Sequence, residues 1–183
     1  MKIIITESQL EFLEESHKNE FGAFMLNLRI PNWNRILDSI DKLDLYVDKV
    51  GYGLELKPHC TILFGLHGDA SVNKIKYLVK NAIHGPIGLT LNGISIFPSR
   101  GSSIPYDVVK FDVIPPTLHK LNHIIKSNFK HSSNFLDYNP HVTIAYVKAG
   151  MGKKYINPNI RLNISSDDFY YSPAMGQKTL FTI

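Results

Sequence analysis

One phrase occurs twice in this chain, and it limits the folds open to everything around it. Residues 57–66 read KPHCTILFGL and residues 138–147 read YNPHVTIAYV, so Pro-His-x-Thr-Ile stands at 58–62 and again at 140–144. Each copy carries β-branched residues and runs on into an apolar stretch, the mark of a strand with at least one buried face. The two histidines lie 82 positions apart (141 minus 59). The order strand, helix, phrase-strand appears from residue 24 to 66 and again from 106 to 147. AFMLNLRIP predicts a strand stopped by Pro31, and NWNRILDSIDKL a helix with Trp33, Ile36, Leu37 and Ile40 at helical spacing. In the second unit YDVVKFDVIP predicts a strand and PTLHKLNHIIKSNF a helix opened by Pro116. A repeat this long and degenerate means paired lobes rather than a solenoid. The fold class expected is α+β: a bilobal, pseudo-twofold duplicated fold, with two antiparallel sheets flanking a central cleft and helices outside.

The remaining segments fill in this plan. SVNKIKYLVKNAI predicts a helix with Ser71 as its N-cap, and IGLTLNGISIFPS a strand or a bent pair turning at Gly93. DFYYSP and KTLFTI supply further strands, while GMGKKYINP has the character of a surface turn. Residues 1–21 stand apart as an N-terminal segment with a helix beginning near Thr6, and residues 22–183 form one bilobal domain. The total of 183 residues suits a single domain. Cys60 is the only cysteine, which excludes an internal disulfide and a thiolate zinc cluster and fits a reducing compartment. The expected location is the cytoplasm, a host's if the chain is phage-encoded. No apolar run approaches the roughly 20 residues that cross a bilayer, and MKIIITESQLEFLEES has too short an apolar stretch for a signal peptide. The formal charge of +4 suits a polyanionic partner without naming one.

Alternate residues of a strand share a face. His59 and Thr61 therefore point one way and Cys60 and Ile62 the other; His141 and Thr143 stand likewise against Val142 and Ile144. With each phrase placed centrally in its lobe, and the lobes facing one another, two imidazoles and two hydroxyls converge on one cleft. Two histidines can serve as base and acid in one reaction near neutral pH. The threonine hydroxyls can donate to phosphate oxygens without adding charge. Such a set can cleave a P–O bond with no metal and no cofactor.

Other residues enter as candidates with plainer alternatives beside them. Arg100, in the Gly/Ser-rich loop FPSRGSSIPY, can reach a phosphate bidentately or simply stand exposed. Tyr52 and Tyr106 can stack on bases, or pack as ordinary aromatics. Lys57 and Lys148, each near a phrase, can raise the potential around an anion, or mark solvated strand ends. His119 and His123 have the i, i+4 spacing of metal ligands, but there is no Glu between them and no third ligand in view, so a helix face explains them better. His67 and His84 flank glycines in turns, and His17 and His131 belong to no constellation. Cys60 faces away from His59 and is expected to be buried and inert. No phosphate-cradling loop with a Lys-Ser/Thr pair is present, which disfavours ATP-consuming ligases and kinases.

The doubled His-x-Thr, His59/Thr61 and His141/Thr143, each on a strand of a repeated lobe, resembles the 2H phosphoesterase superfamily over about residues 22–183. That superfamily includes RNA 2′,3′-cyclic phosphodiesterases (the so-called 2′-5′ RNA ligases) and phage enzymes that degrade cyclic oligonucleotide signals. The resemblance implies a bilobal, metal-independent phosphodiesterase with those four residues catalytic, one imidazole activating a hydroxyl and the other protonating the leaving oxygen. LDYNPHVTIAY is similar to the Tyr-x-Pro-His-x-Thr stretch of phage anti-CBASS enzymes, although the motif spacing here is longer than in compact phage members. The partner so implied is a cyclic oligonucleotide, or an RNA-like phosphodiester; a module that sequesters such ligands without turnover is the rival of another class.

Overall fold

The computed structural model describes residues 21–48, 52–68, 70–101, 104–114, 116–132, 137–174 and 177–183. The expected helix near Thr6 lies outside them. Among the described residues eight strands and three α-helices follow in order: β1 (Gly22–Asn27), α1 (Trp33–Asp38), β2 (His59–Leu66), α2 (Val72–Ala82), β3 (Ile87–Phe97), β4 (Tyr106–Ile114), α3 (Pro116–Asn128), β5 (His141–Lys148), β6 (Asn157–Ser166), β7 (Asp168–Ser172) and β8 (Thr179–Thr182). Short 3-10 turns stand at Lys42–Asp44 and Met151–Tyr155. The strands form two antiparallel four-stranded sheets, ordered β2-β1-β7-β8 and β5-β4-β3-β6. The expected α+β architecture is present.

Local expectations fare unevenly. Of the two readings of IGLTLNGISIFPS the strand forms, Ile87–Phe97, continuous with a bulge between Leu91 and Ile94. The α1 helix ends at Asp38, and Ser71 occupies the α2 N-cap with its carbonyl bonded to Ile75 N–H but no side-chain bond to the helix. GMGKKYINP is a 3-10 turn feeding straight into β6, a strand not foreseen. Its apolar face is only Ile160, Leu162 and Ile164 among asparagines, a short period-2 signal easily lost in polar surroundings.

Alternation explains the core. Phe24 and Leu26 of β1, Cys60 and Ile62 of β2, and Phe169 and Tyr171 of β7 lie on one face of the first sheet. Val109 and Phe111 of β4 and Val142 of β5 do the same in the second. Both sets join one cluster with Ile75 and Val79 of α2 and Leu118, Leu121 and Ile125 of α3. Each large side chain fully buried there contributes about 1.5–3 kcal/mol.

The phrases do not lie centrally in their sheets. Each stands on an edge strand, and β2 and β5 abut. Each edge is then covered by the segment that leads into the other phrase. Tyr46 N–H donates to Tyr146 O (3.0 Å), Tyr146 N–H to Gly53 O (2.7 Å) and Glu55 N–H to Ile144 O (2.9 Å), so Tyr46, Gly53 and Glu55 cover β5. On β2, His67 N–H donates to Lys130 O (3.1 Å) and Ser132 N–H to Gly65 O (2.8 Å). Helices cross over as well: α1 packs on β5 and α3 on β2, where Asn122 Nδ2 donates to Ile62 O (2.6 Å). Each unit thus supports the other's phrase, and the outer edges of β2 and β5 are partnered at these points.

Candidate active site

Both histidines open their strands and are held alike. His59 Nδ1 is 2.9 Å from Lys57 O, and His141 Nδ1 is 2.8 Å from Asn139 O. A carbonyl only accepts, so each Nδ1 carries a proton and any proton exchange by these rings falls to Nε2. Pro58 and Pro140 stand between anchor and ring; proline keeps its predecessor extended, which aims that carbonyl along the strand start. Lys57 N–H in turn donates to Glu55 Oε1 (3.2 Å). His59 is 4% exposed and Thr143 is buried, while Thr61 and His141 are half-buried.

The histidine ends of β2 and β5 meet. Tyr138 hydroxyl donates to Thr61 O (3.0 Å), and the Cys60 thiol sits against the His141 backbone N–H and the Tyr138 hydroxyl. Burial pushes that thiol up to about 12, which fits an inert cysteine. The two imidazoles are close enough to influence each other electrostatically. Burial pushes His141 down to about 4, with the nearby Lys110 and His59 acting the same way and the Asn139 carbonyl and Asp112 opposing. His141 is therefore neutral at neutral pH.

The register of the second sheet brings further groups beside His141 and Thr143. Lys110 pairs with Thr143 and Asp112 with His141, so all four share the cleft face. Lys110 is 4% exposed; its ammonium donates to Ser95 Oγ (2.7 Å), is ion-paired with Asp112, and lies 4.3 Å from the Phe97 ring centroid. The Phe97 ring meets His141 edge-on at 5.0 Å. Neither Lys110 nor Asp112 is singled out by motif. The signal available is their alternation within the otherwise apolar VVKFDVI, two charges on one face of a strand. The same face continues outward: Asp112 lies opposite the Asn92–Gly93 bulge, and Asn92 pairs with Arg161 of β6. A polar row thus runs from His141 to exposed Arg161 over three strand spacings, roughly 14 Å.

The other candidates are distributed unevenly. Lys57 contributes its carbonyl as the His59 anchor, with its side chain exposed. Lys148 is near its phrase in sequence but not in space. It ends β5, seven residues beyond His141 and so roughly 23 Å along the strand at about 3.3 Å per residue; its ammonium donates to Leu43 O (2.9 Å). Tyr52 and Tyr106 pack edge to face at 5.0 Å within a cluster completed by Tyr46 and Tyr146, with Tyr106 buried and Tyr52 half-buried. Tyr106 and Tyr146 follow Lys110 and Thr143 on the cleft face, toward the far end of the strands. Arg100 is exposed in the β3–β4 loop. That loop is pinned by Asp107, which accepts from Ser99 N–H (2.8 Å) and from Gly150 and Gly152 N–H (2.9 Å each). His119 packs edge-on against Tyr138, and no group of three or more potential ligands is gathered for a metal among the described residues. Nor is any helix among them long and apolar enough to cross a membrane.

No protein-family profile and no curated protein matches the sequence. Solved structures do match the fold. Kluyveromyces marxianus Usb1 superposes with a TM-score of 0.60 at 10% identity, covering 91% of this chain and 99% of its own, and was also solved with uridine monophosphate. The Thermus thermophilus protein TT0787 gives 0.59 at 14% identity over 87% of this chain and 94% of its own. Escherichia coli LigT gives 0.54 at 18% identity over 90% of this chain and 95% of its own, and was also solved with phosphate, 3′-AMP and ATP. A structure described as a phosphoesterase matches to a similar extent. The chain has the bilobal 2H phosphoesterase fold that its doubled motif implies.

Proposed function

We propose that this chain is a metal-independent phosphodiesterase of the 2H type, acting on nucleotide phosphodiesters through His59, Thr61, His141 and Thr143. One observation carries this: two imidazoles, each fixed through Nδ1 to the carbonyl two residues earlier, open abutting edge strands, so that proton exchange falls to Nε2. One Nε2 takes a proton from the attacking hydroxyl; the other imidazole, protonated, gives its proton to the leaving oxygen. The threonine hydroxyls donate to the phosphoryl oxygens as charge builds on them. Both proton transfers are supplied by side chains, so chelation is expected to leave the rate unchanged.

The preferred substrate is a cyclic nucleotide or cyclic oligonucleotide signal, whose removal would blunt a host defence. In support, the polar row from His141 to Arg161 offers contacts well beyond one phosphate. Arg100 and the half-buried Tyr52 are proposed as outer contacts, on phosphate and base respectively. A second reading, hydrolysis of 2′,3′-cyclic phosphate RNA ends, is favoured by the mononucleotides found on the similar structures, uridine monophosphate on Usb1 and 3′-AMP on LigT.

Incubation in EDTA with cyclic dinucleotides, cyclic trinucleotides and a 2′,3′-cyclic-phosphate RNA, followed by chromatography, separates these. Turnover of the cyclic panel is expected. Cleavage of the RNA end alone would select the second reading, and tight binding with the ligands intact would point to a sequestering module. Loss of turnover in EDTA would end the metal-independent scheme.

A further inference from the structure

The duplication is complete at the histidines and threonines and fails one strand away. In each sheet the residues paired with the motif's threonine and histidine lie two apart on the neighbouring strand, on the motif's own face. In one half-site they are Met25, opposite Thr61, and Asn27, opposite His59. In the other they are Lys110, opposite Thr143, and Asp112, opposite His141. On the neighbouring strand one half-site has a methionine and an asparagine; the other has an ammonium and a carboxylate.

Lys110 is costly where it stands. A buried ammonium is strongly disfavoured unless paired and hydrogen-bonded, and an apolar residue of similar size is often the more stable choice. Met25 shows that an apolar residue fits the corresponding place, being almost fully buried opposite Thr61. Yet Lys110 is held by three groups: Ser95 Oγ, the Asp112 carboxylate and the Phe97 ring face. Phe97 touches His141 in turn. The titratable groups acting on His141 come from two elements, His59 from β2 and Lys110 with Asp112 from β4; from β3 it meets the uncharged Phe97. Asp112 is half exposed, so water screens it more than it screens the ammonium.

We propose that Lys110 is a positioning residue that makes the two half-sites inequivalent, holding His141 as the proton acceptor and leaving His59 as the proton donor. This rests on the phosphodiesterase reading above. A second positive charge on His141 is opposed by the ammonium beside it. In the step that follows, His141 Nε2 removes the proton of the attacking hydroxyl, whose oxygen forms the new bond to phosphorus. The bond from phosphorus to the leaving oxygen breaks, and that oxygen takes the proton from His59. His141 ends protonated and His59 neutral, and exchange with water resets both.

The test copies one half-site into the other. Lys110→Met and Asp112→Asn each install the residue found at the matching place, and the His141 ring protons are followed by NMR from pH 3 to 8, identified by their loss in His141→Asn. Lys110→Met is expected to move the His141 titration up, toward the ordinary value of about 6.5, and Asp112→Asn to move it down. The acid limb of kcat/KM should shift in the same opposite senses. Lys110→Arg, which keeps the charge, should titrate near wild type, and it carries the test if the methionine variant fails to fold. Loss of packing alone has no reason to give shifts of opposite sign. Shifts of one sign in both variants, or none in either, overturn the proposal. Opposite shifts in a protein that turns over no phosphodiester support the setting of His141 by Lys110 and overturn the phosphodiesterase reading instead.

Discussion

The two half-sites differ in what surrounds an identical phrase. Both histidines use the same anchor, both threonines share the histidine's face, and both strands are sheet edges. Beside β2 the neighbouring strand offers Met25 and Asn27; beside β5 it offers Lys110 and Asp112. The covers differ too. Tyr46, Gly53 and Glu55 pair along β5, with Tyr52 packed among the tyrosines there, whereas among the described residues β2 is met at 130–132. The difference teaches that the doubled chain has kept the histidine and threonine of each phrase and let their settings diverge. Such divergence would fix which imidazole is acid and which base before substrate arrives. An equivalent pair instead shares its proton evenly until the substrate's two ends tell the rings apart.

The largest effects are expected from the histidines themselves. His59→Ala and His141→Ala should each lower kcat by the roughly 10²–10⁴-fold associated with losing a proton-transfer group. The comparison sharpens with a p-nitrophenyl phosphodiester, whose leaving oxygen needs no proton. If His59 is the donor, its alanine variant recovers most of its rate on that substrate while the His141 variant does not. Equal recovery in both, measured by single-turnover kinetics on folded variants, would break the division of duties.

How much of this was legible beforehand depends on whether the information is local. The phrases, their strands and the side-chain faces were readable because strand periodicity sits within a few residues. Lys110 and Asp112 were not, because their meaning depends on register: which residue of β5 each faces is decided by pairing across 33 residues (143 minus 110) and 29 (141 minus 112), and by a bulge between Val109 and Lys110. Lys148 shows the converse error, since five residues past Thr143 is near in sequence but about 16 Å away on an extended strand. Tyr138 is a third case. Just ahead of the second phrase, it ties the two phrases together through Thr61 O, a structural duty invisible in the motif. The edge position of both phrases was equally hidden, because strand order in a sheet leaves no local mark.

A smaller effect is expected where the covers meet their strands. Gly65 of β2 (φ +91°) and Gly53 beside β5 (φ +107°) both have backbone conformations that L residues rarely adopt. An alanine at either position incurs roughly 1–3 kcal/mol of strain. At Gly53 the new methyl would make only ordinary contact with Val47, at 3.5 Å. At Gly65 it would lie 2.5 Å from Ser132 O, so the covering strand must move. Chemical denaturation should therefore show Gly65→Ala less stable than Gly53→Ala, with the deficit beyond what strain alone costs. Equal losses would mean that the stretch at 130–132 yields freely.

The smallest effect is a slope. The His141 imidazole, at about 4 when folded, lies below its unfolded value of about 6.5. Between those values the unfolded chain binds more protons, so stability rises with pH there. The contribution is fully present above about 6.5 and is lost as pH falls toward 4, below which the folded ring is protonated too. One such group sets a limit of about 1.4 kcal/mol per pH unit, and water at the half-buried ring keeps the real slope beneath it. Urea midpoints at pH 5 and pH 7 should therefore differ more for the wild type than for His141→Asn, which has nothing to titrate there. Lys110→Met should lie between them, because raising the folded value narrows the window from below. A Lys110→Met slope matching the wild type would separate the lysine from His141 and leave the two half-sites electrostatically alike.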